Sequence, residues 1–148
     1  MIKFIPAELT FPLRSIVLRK GLAPEACVFP TDHLDGAFHL AYYVNEEIAT
    51  IASFFPNKYK EREEEGYQLR VMATNPKFLG QGFGKQVVIF SIEYIKNTNA
   101  QYLWCNARTS AVKFYEKLGF STISAEFEIA GVGPHYEMML NINTNESF

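Results

Sequence analysis

Gly80, Gly82 and Gly84 alternate between an apolar run and a helix-like run. Glycines so placed let the backbone turn tightly and approach a ligand closely. The N–H groups that open the following helix, together with its dipole, form an anion site of the kind that takes a phosphate. Lys77 and Lys85 flank the turn. The plainer reading is a tight strand-to-helix connection that binds nothing. Two familiar phosphate motifs fail here. A G-x-G-x-x-G fingerprint needs glycine where Lys85 stands, and a P-loop needs glycine at Leu79 and Ser or Thr at Gln86. Neither a nicotinamide cofactor nor a nucleoside triphosphate is indicated.

A second group with chemical potential is Tyr115. Ala111, Phe114, Tyr115 and Leu118 recur at helical spacing, and on spacing alone Tyr115 is a core aromatic. Cys27 and Cys105 lie far apart and outside any CxxC pattern, so they read as reduced thiols, and no metal-ligand spacing exists. Cys105 as a nucleophile lacks a readable histidine neighbour; a buried strand thiol is the simpler reading.

These residues need elements to hold them. Lys3 to Pro6 reads as a short strand, and Leu9, Leu13, Ile16 and Val17 as a helix face closed by Gly21 and Pro24. Phe38 to Tyr43 and Ile48 to Phe55 read as a hairpin around Asn45-Glu46. Tyr67 to Thr74 is a strand with Tyr67, Leu69, Val71 and Ala73 on one face. The helix after the glycines carries Val87, Val88, Ser91, Tyr94 and Ile95 on one face. A strand follows at Gln101 to Cys105, then the Tyr115 helix, capped by Gly119. Strands at Phe120 to Ile129 and His135 to Ile142 finish the domain, before a polar tail expected to fray. The order, about β-α-β-β-β-α-β-α-β-β, predicts an α+β fold: a mixed, mostly antiparallel sheet flanked by helices.

Composition bounds the function. A chain of 148 residues suits one domain spanning 1–148. Hydrophobic residues at 48% and charged residues at 20% exclude general disorder. A net charge of −2 gives no case for nucleic acid or a membrane surface. No run approaches the ~20 apolar residues of a membrane span, and Pro6, Glu8, Pro12 and Arg14 interrupt any signal peptide. A soluble cytoplasmic protein is expected.

The run Leu79-Gly-Gln-Gly-Phe-Gly84 resembles the Q/R-x-x-G-x-G/A signature of the GNAT N-acetyltransferase superfamily, with Leu79 replacing the usual Gln or Arg. Downstream, Ala111-Val-Lys-Phe-Tyr-Glu-Lys-Leu-Gly-Phe120 is similar to the A-x-x-F-Y-x-K-x-G-F segment of the same superfamily. The two motifs stand in this order with a strand between them, and the resemblance covers about Tyr67 to Phe120. The resemblance implies a GNAT-like acyl-coenzyme A N-acyltransferase fold that binds acetyl-coenzyme A. Its pyrophosphate would lie on the N–H groups of Leu79, Gly80, Gln81, Gly82, Phe83, Gly84 and Lys85. Its pantetheine arm would run beside Met72, Ala73 and Thr74, in a gap between that strand and Trp104-Cys-Asn106. Phe83, Phe114 and Tyr115 would line the cleft. Arg108 stands where many members carry Asn; Asn106, Thr109 or Ser110 could take that role, and Arg108 could reach a phosphate.

The implied reaction is transfer of acetyl to a primary amine by direct attack. It needs positioning, an oxyanion donor near Met72 or Ala73, and a proton for the departing thiolate. Tyr115 matches the family's general acid. An amine arriving as ammonium must lose a proton, and His39, Glu128, His135 and Glu137 are candidates near it; each histidine also suits a structural role, and Glu128 an exposed strand position. The acceptor, a small molecule or peptide amine, would meet the first helix, the Asn57–Gly66 loop and the last hairpin. Acidic groups there (Glu61, Glu63, Glu64, Glu65, Glu128, Glu137) and aromatics (Phe55, Tyr59, Phe127, Tyr136) favour a cationic or amphipathic amine, the plainer reading of the charge cluster being a solvated face. An exposed strand in the last hairpin leaves room for a homodimer. The alternative is a coenzyme A-binding sensor module without turnover.

Overall fold

Aromatic and β-branched residues crowd the central runs of the chain, and such side chains fit a pleated, half-buried surface. The computed structural model describes residues 1–18, Ala23 and residues 27–142. Its strands are β1 (Ile2–Ile5), β2 (Phe38–Val44), β3 (Glu47–Pro56), β4 (Gly66–Thr74), β5 (Tyr102–Arg108), β6 (Ser121–Thr122), β7 (Phe127–Ile129) and β8 (Gly133–Asn141). The helices are α1 (Phe11–Leu13), α2 (Phe83–Ile95) and α3 (Val112–Glu116). The fold is a mixed, mostly antiparallel sheet flanked by helices. Its chain divides into two compact units: Met1–Pro56 with Leu69–Ser91, and Asn57–Gln68 with the chain from Ile92 on.

In the first unit the strand order is β1-β2-β3-β4. Val44 pairs with Glu47 across Asn45-Glu46, and Asn45 takes the left-handed conformation (φ 57°) that Asn tolerates better than most residues. A bulge between Tyr42 and Tyr43 shifts the register. Ile5, Leu13, Ala41, Ile51, Val71 and Ala73 form the core. Tyr67, Leu69, Val71 and Ala73 are all buried, as the alternation of β4 predicts.

The first helix departs from its expected face. It is a 3-10 turn (Ala7–Thr10), then α1, then a π turn (Arg14–Leu18). Leu9 and Val17 are exposed and Ile16 is 60% exposed, while Arg14 is 1% exposed. The reason is long-range. The Arg14 guanidinium forks onto Asp32, with both N–O distances at 2.9 Å, and also donates to the Cys27 carbonyl and to Ser53 Oγ. The Phe29 N–H bonds to the same carboxylate at 2.8 Å. Burial opposes ionisation of Asp32, but the Arg14 and Phe29 bonds outweigh it and hold its pKa below the usual value. The expected helix stops Gly21 and Pro24 lie outside the described residues.

His39 belongs to this network. Its Nε2 is 3.0 Å from the Asp32 carbonyl, which can only accept, so Nε2 carries the proton. Its bare Nδ1 then takes the Ser53 hydroxyl at 2.7 Å. Burial pushes the His39 pKa down from 6.5. The unfolded chain therefore binds a proton that the folded chain refuses, and stability falls as pH drops below about 6.5. The Asp32 contribution is present above its ordinary range and is lost only in stronger acid. We expect a lower urea midpoint at pH 5.5 than at pH 7.5, with a smaller drop in His39→Gln. Equal drops in both proteins would show that another group controls the acid response.

In the second unit the order is β4-β5-β8-β6, with β7 also on β8. The first residues of β4 pair in parallel with β5, Gly66 to Tyr102, Tyr67 to Leu103 and Gln68 to Trp104. Parallel neighbours need a crossover, which the α2 segment provides. A Cβ at Gly66 would overlap the Tyr102 ring, so only glycine fits where that ring lies. Tyr102, Trp104 and Met139 form a core cluster with Tyr59 against it. The expected strand Phe120 to Ile129 is broken into β6 and β7, and β5 runs three residues beyond its expected end. Among the described residues no helix is long and apolar enough to cross a membrane.

Candidate functional site

The glycine turn is built from below. Thr74, at the end of β4, bonds through its hydroxyl to that of Thr50 at 2.9 Å, and Asn75 N–H bonds to the Ala49 carbonyl. Asn75 Oδ1 then accepts the Lys77 N–H, starting the 3-10 turn Pro76–Phe78. The Phe83 ring stacks on Tyr42 with centroids 4.2 Å apart, and Phe78 packs beside it. These anchors leave the crest exposed, with Leu79 at 65%.

At the crest Gly80 and Gly82 have φ of 78° and 81°, a region L side chains rarely adopt. Among the described residues, no atom beyond the glycine and its two chain neighbours lies within 4 Å of a Cβ built at either. Backbone conformation therefore demands glycine there, and the protein leaves the adjacent space open. The Gln86 N–H bonds to the Gly82 carbonyl, so α2 begins at Phe83. Its first N–H groups have no carbonyl one turn earlier within the helix. An open cradle of backbone before a 13-residue helix fits a pyrophosphate. Phe83, expected to line a cleft, uses its ring for packing, leaving its N–H for the cradle. Lys77, expected to face a phosphate, instead pairs with Glu47 at 2.8 Å. Lys85 is exposed.

Of the other residues expected at a cofactor, Met72, Ala73 and Thr74 lie in the same unit as the turn. Ala73 is in its core and Met72 is half-buried. Asn106, Arg108 and Phe114 lie in the second unit. Asn106 and Arg108 are exposed on β5, and Phe114 is half-buried. Thr109 Oγ1 does not cap a helix; it donates to Glu126 at 2.8 Å.

Tyr115, also in the second unit, is buried on α3 between Phe114 and Phe120, with ring centroids 5.0 and 5.3 Å away. Burial, reinforced by the Cys105 thiol, raises its phenol pKa well above the usual value. The proton is therefore on oxygen at any physiological pH. Burial also pushes the Cys105 thiol up to about 12. That favours the buried-thiol reading over a nucleophilic one, because the thiolate is the attacking species.

The base candidates fall in both units. Both ring nitrogens of His39 are engaged within the first unit. In the second unit His135 is buried with Nδ1 on the Gly133 carbonyl at 2.7 Å, and Glu128 is exposed. Glu137 is half-buried and accepts the Tyr59 hydroxyl at 2.5 Å. Sequence reading named Tyr59 and Glu137 separately; 78 positions apart, nothing local marks them as a pair. Among the described residues no group of His, Cys, Asp and Glu could hold a metal ion.

Comparison with known proteins agrees with this layout. Residues 29–142 match the family model described as an acetyltransferase (GNAT) domain. The chain is 32% identical, over 97% of its own length and 97% of the other's, to a Bacillus subtilis (strain 168) protein named uncharacterized N-acetyltransferase YitI. Its fold is like that of the ribosomal-protein-S18-alanine N-acetyltransferase of Escherichia coli, with TM-score 0.74 at 17% identity, covering 100% of this chain and 99% of that one. It is also like an aminoglycoside 6'-N-acetyltransferase complexed with coenzyme A, with TM-score 0.75 at 11% identity, covering 95% and 96%. At such identities the structural likenesses speak to the fold alone. With the glycine cradle, the Phe-Tyr helix and the family match taken together, the chain belongs to the GNAT acetyltransferase family.

Proposed function

We propose that this protein transfers acetyl from acetyl-coenzyme A to a primary amine by direct attack. The observation that carries the reading is the open backbone cradle at Gly80 and Gly82, directly before α2. In this reading the N–H groups of Leu79 to Lys85 receive the pyrophosphate. Backbone groups of Met72 to Thr74 lie along the pantetheine arm, and an N–H near Met72 or Ala73 stabilises the developing oxyanion. Acetyl-coenzyme A supplies an acetyl thioester open to attack by an amine. Tyr115 gives its proton to the departing sulphur, and the proton that the attacking amine sheds restores the phenol, so the transfer is proton-neutral.

Its buried phenol is a weak acid but a well-protected hydrogen-bond donor. Its contribution grows as charge gathers on the sulphur, which is where donors act most. The coenzyme A complex of the aminoglycoside 6'-N-acetyltransferase supports the cofactor assignment by analogy of fold.

Calorimetry with acetyl-coenzyme A tests the cradle. Gly82→Ala places a Cβ in the open space at a left-handed position, a strain of about 1–2 kcal/mol. We expect its affinity for acetyl-coenzyme A to fall at least about tenfold, the scale of one charge-assisted contact. Unchanged affinity would move the pyrophosphate elsewhere.

A further inference from the structure

In the second unit, Tyr59, Lys60 and Glu137 form a cluster that the proposed transfer has not yet used. Glu137 lies on β8 directly opposite Asn106 of β5. Its carboxylate accepts the Tyr59 hydroxyl at 2.5 Å and stands 3.5 Å from Lys60 Nζ. Lys60 Nζ also lies over the Tyr59 ring, 5.2 Å from its centroid. Tyr59 is fixed from three sides. Its N–H bonds to the Tyr102 hydroxyl at 2.8 Å, its ring meets Trp104 edge-on at 5.1 Å, and its hydroxyl is on Glu137. Trp104 is itself held by its indole N–H on the Asn57 carbonyl at 2.9 Å.

A fixed aromatic face beside a carboxylate is a seat for an alkylammonium. In this structure the occupant is a side chain of the protein itself. Lys60 is poorly committed to that place. Its side chain is 65% exposed, against 19% for Glu137, and its backbone adopts φ 51°, uncommon for lysine. An incoming ammonium replaces one positive charge by another. The half-buried carboxylate is thus never left unpaired, so the exchange avoids the main cost of opening such a site.

The faces of β5 also suit the reaction. Side chains alternate along a strand. Cys105 points to one face, and Asn106, paired with Glu137, to the other. The seat then lies on the face of β5 away from Cys105, which suits an ammonium separated from the reacting amine by a chain of methylenes.

We infer that Glu137 and the Tyr59 ring receive the non-reacting ammonium of an acceptor whose other, neutral amine attacks the thioester, that Lys60 occupies this seat in the free protein, and that the acceptor is an unbranched alkylamine of the lysine or diamine type. The inference rests on the acetyl-transfer reading and names its substrate class.

The test is acetyl transfer to 1,5-diaminopentane, compared with aniline, which is neutral at pH 8. Glu137→Gln is expected to raise the KM for the diamine at least about tenfold, as loss of a charge-assisted contact does. Lys60→Asn, chosen because Asn tolerates positive φ, is expected to lower that KM about threefold, the scale of one exposed ion pair. Aniline brings no ammonium to the seat, so its KM should shift by a smaller factor than that of the diamine in both variants. Opposite shifts from two members of one cluster are not the result of a merely structural role. Lys60→Asn carries the test by itself if Glu137→Gln fails to fold. Amine acetylation by the wild type with an unchanged or raised diamine KM in Lys60→Asn overturns this inference alone. A wild type that binds acetyl-coenzyme A and acetylates no amine overturns the acetyl-transfer reading instead.

Discussion

Tyr115→Phe is expected to lower kcat by about 10²–10³-fold, the usual loss when one preorganised donor is removed from a developing charge. The affinity for acetyl-coenzyme A should barely change. The substitution keeps the ring in its packing between Phe114 and Phe120 and deletes only the hydroxyl. Binding energy drawn from the glycine cradle is made equally before and during the reaction, so it does not depend on that hydroxyl. Stopped-flow turnover and calorimetry on the same variant separate the two quantities. A kcat within about threefold of wild type would remove Tyr115 as proton donor, because a donor in that role contributes far more. The pH profile adds a check. Burial holds the phenol protonated across the working range, so Tyr115 should contribute no alkaline limb below pH 9 in the wild type.

The largest stability effect belongs to the first unit. Asp32→Ala is expected to cost about 3–5 kcal/mol, because it leaves the Arg14 guanidinium buried without its counter-charge. Arg14 is 1% exposed at the side chain and Asp32 0%. The guanidinium would keep only the Cys27 carbonyl and Ser53 Oγ as hydrogen-bond partners, against four bonds in the wild type. With folding free energies of typically about 5–15 kcal/mol, such a loss brings the domain near unfolding at room temperature. The double variant Arg14→Met, Asp32→Leu should recover most of it, since apolar residues of similar volume often replace a buried pair at little cost. Urea melts of the single and double variants decide the matter. A single variant costing under about 1 kcal/mol would place the pair among ordinary surface ion pairs.

Local signals in the chain foretold the local features of the structure. The alternation in Tyr67 to Thr74 marked the buried face of β4. Val87, Val88, Ser91 and Ile95 are buried on α2 as their spacing implies, with only Tyr94 turned outward. The glycines marked a turn whose left-handed crest is visible in the backbone angles. What failed was anything set by distant partners. Arg14 is not among the residues expected on the inner face of the first helix, because its partners Asp32 and Ser53 are 18 and 39 positions away. Ile16 and Val17 were assigned to the buried face for the same reason. Lys77 stood beside the glycines in sequence, yet its ammonium pairs with Glu47 on a neighbouring strand. His39 was a plausible base until Ser53 and the Asp32 carbonyl claimed both nitrogens. Tyr59 and Glu137 each stood out as a residue type, but their pairing is a product of the fold. The motif at Ala111 to Phe120 located Tyr115, while its burial beside Cys105 required the strand register.

The most direct test of the account is release of free coenzyme A thiol from acetyl-coenzyme A, measured across a panel of primary amines, with the acetylated product verified by mass. The account predicts amine-dependent thiol release, a product heavier by one acetyl group, and loss of both in Tyr115→Phe. Saturable binding of acetyl-coenzyme A with no thiol release for any amine would contradict it and leave the protein a coenzyme A-binding module.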